Sequence, residues 1–336
     1  MTKRRTILLC AKALFAAAVI AWLCHKVDVV HVWTRVRDAD RWPILAGILL
    51  CFGTVLVGGW RWQRLLRIFQ IKIPLLPLVA ISQIGQFFMM FLPGPTGDDL
   101  TRMLYIARLA PGRVGESCTT VLLDRCLGLA SVLALAVLCT PWQWDILSTS
   151  PQTHWLALII LTAGVTVCLL GAGFFLAGQP THRWFEKRLR SRPAHSLRDE
   201  AARIWGLLCV NRKSLAQVIG AAMVTQLLLC TVFYLAGLSV GIHAPLLSWL
   251  TFVPIVLAAN VLPITIAGFG VREYLLVLFL GVTAQVDSER ALAASFVVFS
   301  IILVVCLFGG LLYIFYKPAQ TSEEADKGIH VPSDAG

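Results

Sequence analysis

The chain is predicted to be an all-α, polytopic membrane protein, and three observations carry that expectation. Apolar runs of about twenty residues, long enough to cross a bilayer as helices, recur along the whole sequence. Charged residues make up only 14% of the 336, where soluble domains carry about 25%. Lysine and arginine gather in a few short segments between the apolar runs, the pattern that orients a membrane protein. The net charge of +11 therefore belongs to loops, and no nucleic acid is expected as a partner. The expected architecture is six full spans plus two opposed re-entrant helical hairpins, or eight helices if each hairpin is counted as a span.

The elements follow in order. The first span, 6–24, is preceded by Lys3, Arg4 and Arg5, and no convincing A-x-A site follows it, so it reads as a retained signal-anchor. The loop 25–41 is mixed, with Lys26, Arg35, Arg37 and Arg41 against Asp28, Asp38 and Asp40, and it weakly resists an outward assignment. After the second span, 42–59, WRWQRLLRIFQIK carries Arg61, Arg64, Arg67 and Lys72 with no acid, and is assigned to the cytoplasm. Its Trp60–Arg61–Trp62 reads as an aromatic belt with a cytoplasmic anchor. The apolar segment 74–92 then runs into FLPGPTGDDLTRML. Spans at 117–140 and 154–177 flank a segment, 141–153, that has no Lys or Arg and faces outward. The stretch from Arg183 to Lys213 is the most basic in the chain and faces inward. A span at 215–240 leads to 241–248, again without Lys or Arg. A second interrupted segment, 249–267, is followed by the last span, 291–316, which ends inside at Lys317. The domain is thus 1–317, with a polar tail from Pro318 to the end that is expected to be disordered.

Counting sides along this path has a consequence. Everything from 74 to 116 must enter from the cytoplasm and return there, whereas 249–290 leaves the outer face and returns to it. Each is either a pair of full crossings or a re-entrant hairpin. The second arm of the first, GDDLTRMLYIARLAPG, is too polar for an ordinary span; that of the second, GVREYLLVLFLGVTA, is short but apolar. Both contain helix breaks: Pro93, Gly94 and Gly97 in the first, Pro263, Gly268 and Gly270 in the second. In both, an arginine falls nine residues after the proline, Arg102 and Arg272. Opposed entry with matched breaks is the pattern of an inverted repeat whose site lies between the copies.

Broken backbone at membrane depth is tolerated only against protein or a watery cavity. The half-helix after each break also projects a partial positive charge that suits an anionic group. Around the breaks stand Asp98, Asp99, Arg102, Arg272 and Glu273, and Asp124–Arg125 interrupt an otherwise apolar span. A charge at the bilayer centre costs roughly 2.5–3.5 kcal/mol on insertion scales, so each needs a partner. Adjacent helix residues point about 100° apart, so Asp124 and Arg125 need separate partners. Asp99, Arg102, Asp124, Arg125, Arg272 and Glu273 sum to zero charge, and a self-satisfied network is one reading. A lipid head-group site is the other, with Arg102 and Arg272 as phosphate forks from opposite leaflets, and with Asp99, Asp124 and Glu273 orienting them.

Catalytic signatures are missing: there is no HExxH, GxSxG, Walker A or Gly-x-Gly-x-x-Gly sequence. The ten cysteines form no CxxC, and Cys10, Cys51, Cys139, Cys168, Cys230 and Cys306 lie within apolar runs as small hydrophobes. No metal, cofactor or enzymatic activity is expected. An intramembrane enzyme using Asp98 and Asp99 as an acid/base or metal pair lacks a third ligand nearby.

Four pieces in order, RWQRLL at 61–66, LPGPTGDDLTR at 92–102, LLDRCLGL at 122–129 and PITIAGFGVRE at 263–273, resemble the transmembrane region of lysylphosphatidylglycerol synthases and its stand-alone, flippase-like relatives. That family's first hairpin commonly reads Gly-Gly-Asp or Gly-Glu before the arginine. Here Asp98 replaces the second glycine while Asp99 and Arg102 match. Asp124, Arg125 and Gly128 match an Asp/Glu-Arg-x-x-Gly element, and Gly268, Gly270, Arg272 and Glu273 match a late Gly-x-Gly-x-Arg-Glu element. The resemblance implies a lipid translocase of the bacterial cytoplasmic membrane with both termini cytoplasmic, acting on membrane lipids. The aminoacyltransferase domain of the full-length synthases is expected to be absent. The alternative it leaves open is a non-transporting scaffold whose partner is a lipid-modifying enzyme.

Overall fold

The computed structural model describes residues 39–90, 96–176, 197–261 and 271–316. The first apolar run, most of the loop after it, Pro93, Gly94, Pro263, Gly268, Gly270, Lys317 and the tail lie outside these residues. Five helices within them are long and apolar enough to cross a membrane. They are α1 (Arg41–Ile68), α4 (Val114–Cys139), α5 (Pro151–Leu176), α7 (Arg212–Ser239) and α10 (Ser288–Phe315). Each coincides with one of the expected spans. Shorter helices make the two interrupted segments: α2 (Leu75–Met89) with α3 (Thr96–Leu109), and α8 (Leu246–Val261) with α9 (Val271–Ala284). At 1.5 Å per residue these arms reach about 21–24 Å, short of a hydrocarbon core of about 30 Å.

Two elements differ from expectation. The basic segment after residue 59 is not a loop: α1 continues through it to Ile68. Nothing in WRWQRLLRI breaks a helix, and the chain turns only where Gln70 takes a positive φ of 59°. The helix starts equally cleanly, because the Asp40 carboxylate accepts from the Trp42 amide at 3.1 Å as an N-cap. The second difference is α6 (Leu197–Val210), which forms inside the stretch read as a basic loop. Its Ile204, Leu207 and Leu208 pack against a core built from Trp62, Leu65, Leu66, Leu78 and Ile81. Apolar residues three to four apart give it one greasy face among charged neighbours.

Contacts at the helix ends fix the direction of the two hairpins. At one end of the bundle the Asp40 amide donates to the Ser239 carbonyl at 2.8 Å, joining the start of α1 to the end of α7. There too, Gln143 Nε2 donates to Ser248 Oγ at 2.9 Å, and the Thr251 hydroxyl donates to the Cys139 carbonyl at 3.3 Å. The start of α8 therefore lies beside the end of α4. At the opposite end Arg113 donates to the Phe69 carbonyl at 2.7 Å, and the rings of Tyr105 and Tyr316 lie 5.8 Å apart. The first hairpin starts and finishes there. The two hairpins thus enter from opposite ends of the bundle, as the Lys/Arg count requires.

The halves also match in construction. Helices α1 to α4 run 28, 15, 14 and 26 residues, and α7 to α10 run 28, 16, 14 and 28. The long leading helices α1 and α7 pack on each other, α2 lies along α10, and α8 lies along α4. This is the arrangement of an inverted repeat. The tip of the first hairpin reaches α10 in the middle of the bundle, where Met90 packs with Phe299 and Cys306. Helix α5 packs along α4 on one side and leaves Trp155, Ile159, Leu169 and Leu170 exposed on the other. In a spanning helix such residues face lipid.

Candidate functional site

Asp124 organises the polar interior. It lies in the first half of α4, 3% exposed, and two arginines from different helices converge on it. Arg61 from α1 makes a two-pronged contact, Nε to Oδ1 at 2.6 Å and Nη2 to Oδ2 at 2.8 Å. Arg102 from α3 donates its Nη1 to Oδ2 at 3.1 Å, and its Nε to Asp98 Oδ1 at 2.9 Å one helical turn back. The Arg102 guanidinium sits 5.4 Å from the ring centre of Trp62. A buried carboxylate held by forked donors in this way is a rigid junction, since removing one partner strands the other.

This corrects the reading of Trp60–Arg61–Trp62 as an interfacial anchor. Arg61 is 8% exposed and its partner lies 63 residues on. Trp62 is fully buried and donates its indole N–H to the Thr120 hydroxyl at 3.1 Å. Only Trp60 and Arg64 keep the outward aromatic–cation pairing, with 4.9 Å between guanidinium and ring centre.

Asp124 and Arg125 do take separate partners. Arg125 turns to Asp99 of α3, with Nη2 to Oδ2 at 2.7 Å and Nε to the same oxygen at 3.1 Å. This pair is more open than the other, with side chains 30% and 23% exposed. Asp99 therefore steadies Arg125, and it is Asp98 that steadies Arg102. On the opposite hairpin, Arg272 donates to Glu273 Oε1 at 2.6 Å and to the Ser295 hydroxyl of α10 at 3.1 Å. Ser295 in turn donates to the same Glu273 oxygen at 3.0 Å. The guanidinium of Arg272 lies 5.7 Å from the ring centre of Phe299, so Phe299 stands between Met90 of the first hairpin and Arg272 of the second.

Small residues make the first hairpin this tight. A Cβ at Gly97 would run into the Phe88 carbonyl, and one at Gly85 would run into the Asp98 carboxylate. Gly97 therefore acts through close approach of α3 to α2. The remaining expected break residues lie outside the described residues.

All of this opens on one cavity of about 350 Å³, within the range of small-molecule sites. Arg102, Arg272, Asp99, Asp124 and Arg125 line it, as do Arg61 and Asp98. Glu273 stands behind Arg272 rather than on the wall. The rest of the lining is apolar and neutral-polar, including Leu129, Val132, Phe233, Ser82 and Gln226. Four arginines against three aspartates on the wall leave a slightly positive lining, and its guanidinium forks suit a phosphate. Among the described residues no three His, Cys, Asp or Glu side chains are grouped to hold a metal. Sequence reasoning missed Arg61, Ser82, Gln226 and Ser295. The first was hidden by its basic neighbours, and the other three are uncharged.

No curated protein matches the chain significantly. The family model described as lysylphosphatidylglycerol synthase TM region matches residues 9–310, well over half of the sequence and inclusive of both hairpins. The chain therefore belongs to the family of the lysylphosphatidylglycerol synthase transmembrane region, as a multi-pass membrane protein related to lipid metabolism or translocation.

Proposed function

We propose that this protein is a lipid translocase: it carries the phosphate-bearing head group of a membrane lipid between leaflets while the acyl chains stay in the bilayer. The observation that carries the reading is that Arg102 and Arg272, on hairpins entering from opposite ends, line the same cavity. A head group reaching either arginine enters a lining of guanidinium forks, where carboxylates already satisfy the cations in the ligand's absence. A phosphate arriving from lipid competes first at the Arg125–Asp99 pair, the more open of the ion pairs on the first hairpin. Rocking of one hairpin against the other, with Phe299 of α10 lying between Met90 of the first and Arg272 of the second, passes it on. No catalytic group is required, and the reading makes the protein a carrier and not an enzyme. It works in the cytoplasmic membrane with its basic loops inside.

The test uses purified protein in vesicles containing acyl-labelled phosphatidylglycerol, with translocation read as the rate at which inner-leaflet label becomes reachable from outside. Arg102→Lys and Arg272→Lys keep the charge that the carboxylates need and lose the fork. Each is expected to slow translocation about tenfold or more with little change in Tm. Should folded Arg102→Ala and Arg272→Ala protein both move lipid at the wild-type rate, these arginines have no part in transport. Wild-type protein that moves no lipid and co-purifies with a lipid-modifying enzyme would instead be a scaffold.

A further inference from the structure

Two polar atoms in the cavity are left over from the charge network. Gln226, on α7 and 7% exposed, donates its amide nitrogen toward the Gly128 carbonyl at 3.4 Å, which turns Oε1 away from that carbonyl. Among the described residues that oxygen has no hydrogen-bond partner. Ser82, on α2 and 1% exposed, likewise has an unpartnered hydroxyl. Both residues line the cavity. A buried acceptor left unpaired costs about 1–3 kcal/mol, so such atoms mark a place where something else supplies the bond.

The position of Gln226 shows what the arginines cannot do for it. Gly128, whose carbonyl it binds, lies against the Arg61 guanidinium, with a built Cβ there 3.9 Å from Nη1 and Nη2. Arg61 commits Nε and Nη2 to Asp124. The wall around Gln226 therefore presents cation donors for a phosphate and, beside them, a buried amide acceptor with no partner among the described residues. Phosphate oxygens are acceptors only and gain nothing from Gln226 Oε1. That atom needs an N–H or O–H.

We infer that Gln226 and Ser82 form a donor-reading subsite, so that the preferred ligand is a phosphate head group carrying a hydroxyl or primary ammonium a few bonds from the phosphate. This rests on the cavity being the head-group site of the proposed translocase, and it adds which head groups are accepted. Lipids with the same charge but no donor, such as those ending in a trimethylammonium or a plain alkyl group, leave Gln226 Oε1 unpaired and are disfavoured, since the Ser82 hydroxyl alone can turn to donate to a phosphate oxygen.

Binding rather than transport gives the test. Full-length protein in detergent is titrated with short-chain lipids, and retention is measured by native mass spectrometry. Two series hold charge constant while removing donors: phosphatidylethanolamine against its stepwise N-methylated forms up to phosphatidylcholine, and phosphatidylglycerol against phosphatidylpropanol. Wild-type protein is expected to retain the donor-bearing member of at least one series about tenfold better, the factor corresponding to one net hydrogen bond to a buried partner. A preference confined to the first series identifies an ammonium ligand, and one confined to the second a hydroxyl ligand. Gln226→Leu and Ser82→Ala should reduce the preference to less than about twofold by weakening the donor-bearing lipid alone. Gln226→Glu, which keeps the acceptor should the leucine variant not fold, should preserve it. Equal retention within both series, or an unchanged preference in Gln226→Leu, overturns the subsite. If the preference is found while vesicle translocation is absent, the subsite stands and the transport reading falls.

Discussion

Asp124 is the side chain on which most of the polar interior depends, because it alone joins α1, α3 and α4 through charged bonds. Arg61→Met would strand part of that carboxylate in a buried setting and is expected to lower stability by about 3–5 kcal/mol, seen as a fall in Tm of the purified protein. Asp124→Asn should cost a similar amount, since it leaves Arg61 and Arg102 facing each other across a neutral amide. By contrast, Asp99→Asn acts on a pair that is roughly a quarter exposed and should shift stability by no more than about 1 kcal/mol. If Arg61→Met unfolds no more readily than Asp99→Asn, the junction at Asp124 is not structural. Legibility at this scale follows contrast with the surroundings. Asp124 and Arg125 stand out because apolar residues flank them for a full span. Arg61 does not, because Arg64 and Arg67 follow it and two tryptophans bracket it, so its partner 63 residues away left no local trace.

Among the elements, the five long spans within the described residues were readable to within a few residues, since a run of about twenty apolar residues has few other uses. Helix α6 and the last turns of α1 were not. Basic residues there mimic a loop by composition, while the backbone has no reason to stop being helical. The hairpins rest on close approach, and glycine substitutions measure it. Gly97→Ala would press a methyl against the backbone of Phe88, which cannot retreat as a side chain can, and should cost about 1–3 kcal/mol of stability. Gly171→Ala on lipid-facing α5 meets nothing within 4 Å and should leave Tm unchanged or slightly raised. Equal effects of the two would mean that α2 and α3 are not packed this closely.

For the molecule as a whole, the opposed entry of the hairpins was legible from lysine and arginine alone, because parity propagates along the chain without any knowledge of packing. That Met90 and Arg272 both reach Phe299 of α10 was not, since it depends on helix tilt and side-chain length together. The topology has a direct check. In a Cys126→Ser background, Lys72→Cys lies before the first hairpin and His243→Cys before the second, both exposed. A membrane-impermeant maleimide should reach them from opposite faces of sealed vesicles, and labelling from the same face would overturn the opposed arrangement.

The near-equal lengths of the two halves carry one last consequence. A scaffold made of two copies facing contrary ways has no intrinsic arrow: exchanging the roles of its halves returns almost the same backbone energy. In the proposed translocase any vectorial bias must then arise outside that framework, from unequal side chains at the two arginines or from an imbalance of lipid across the membrane. Left to itself, the proposed translocase equalises the leaflets rather than filling one of them.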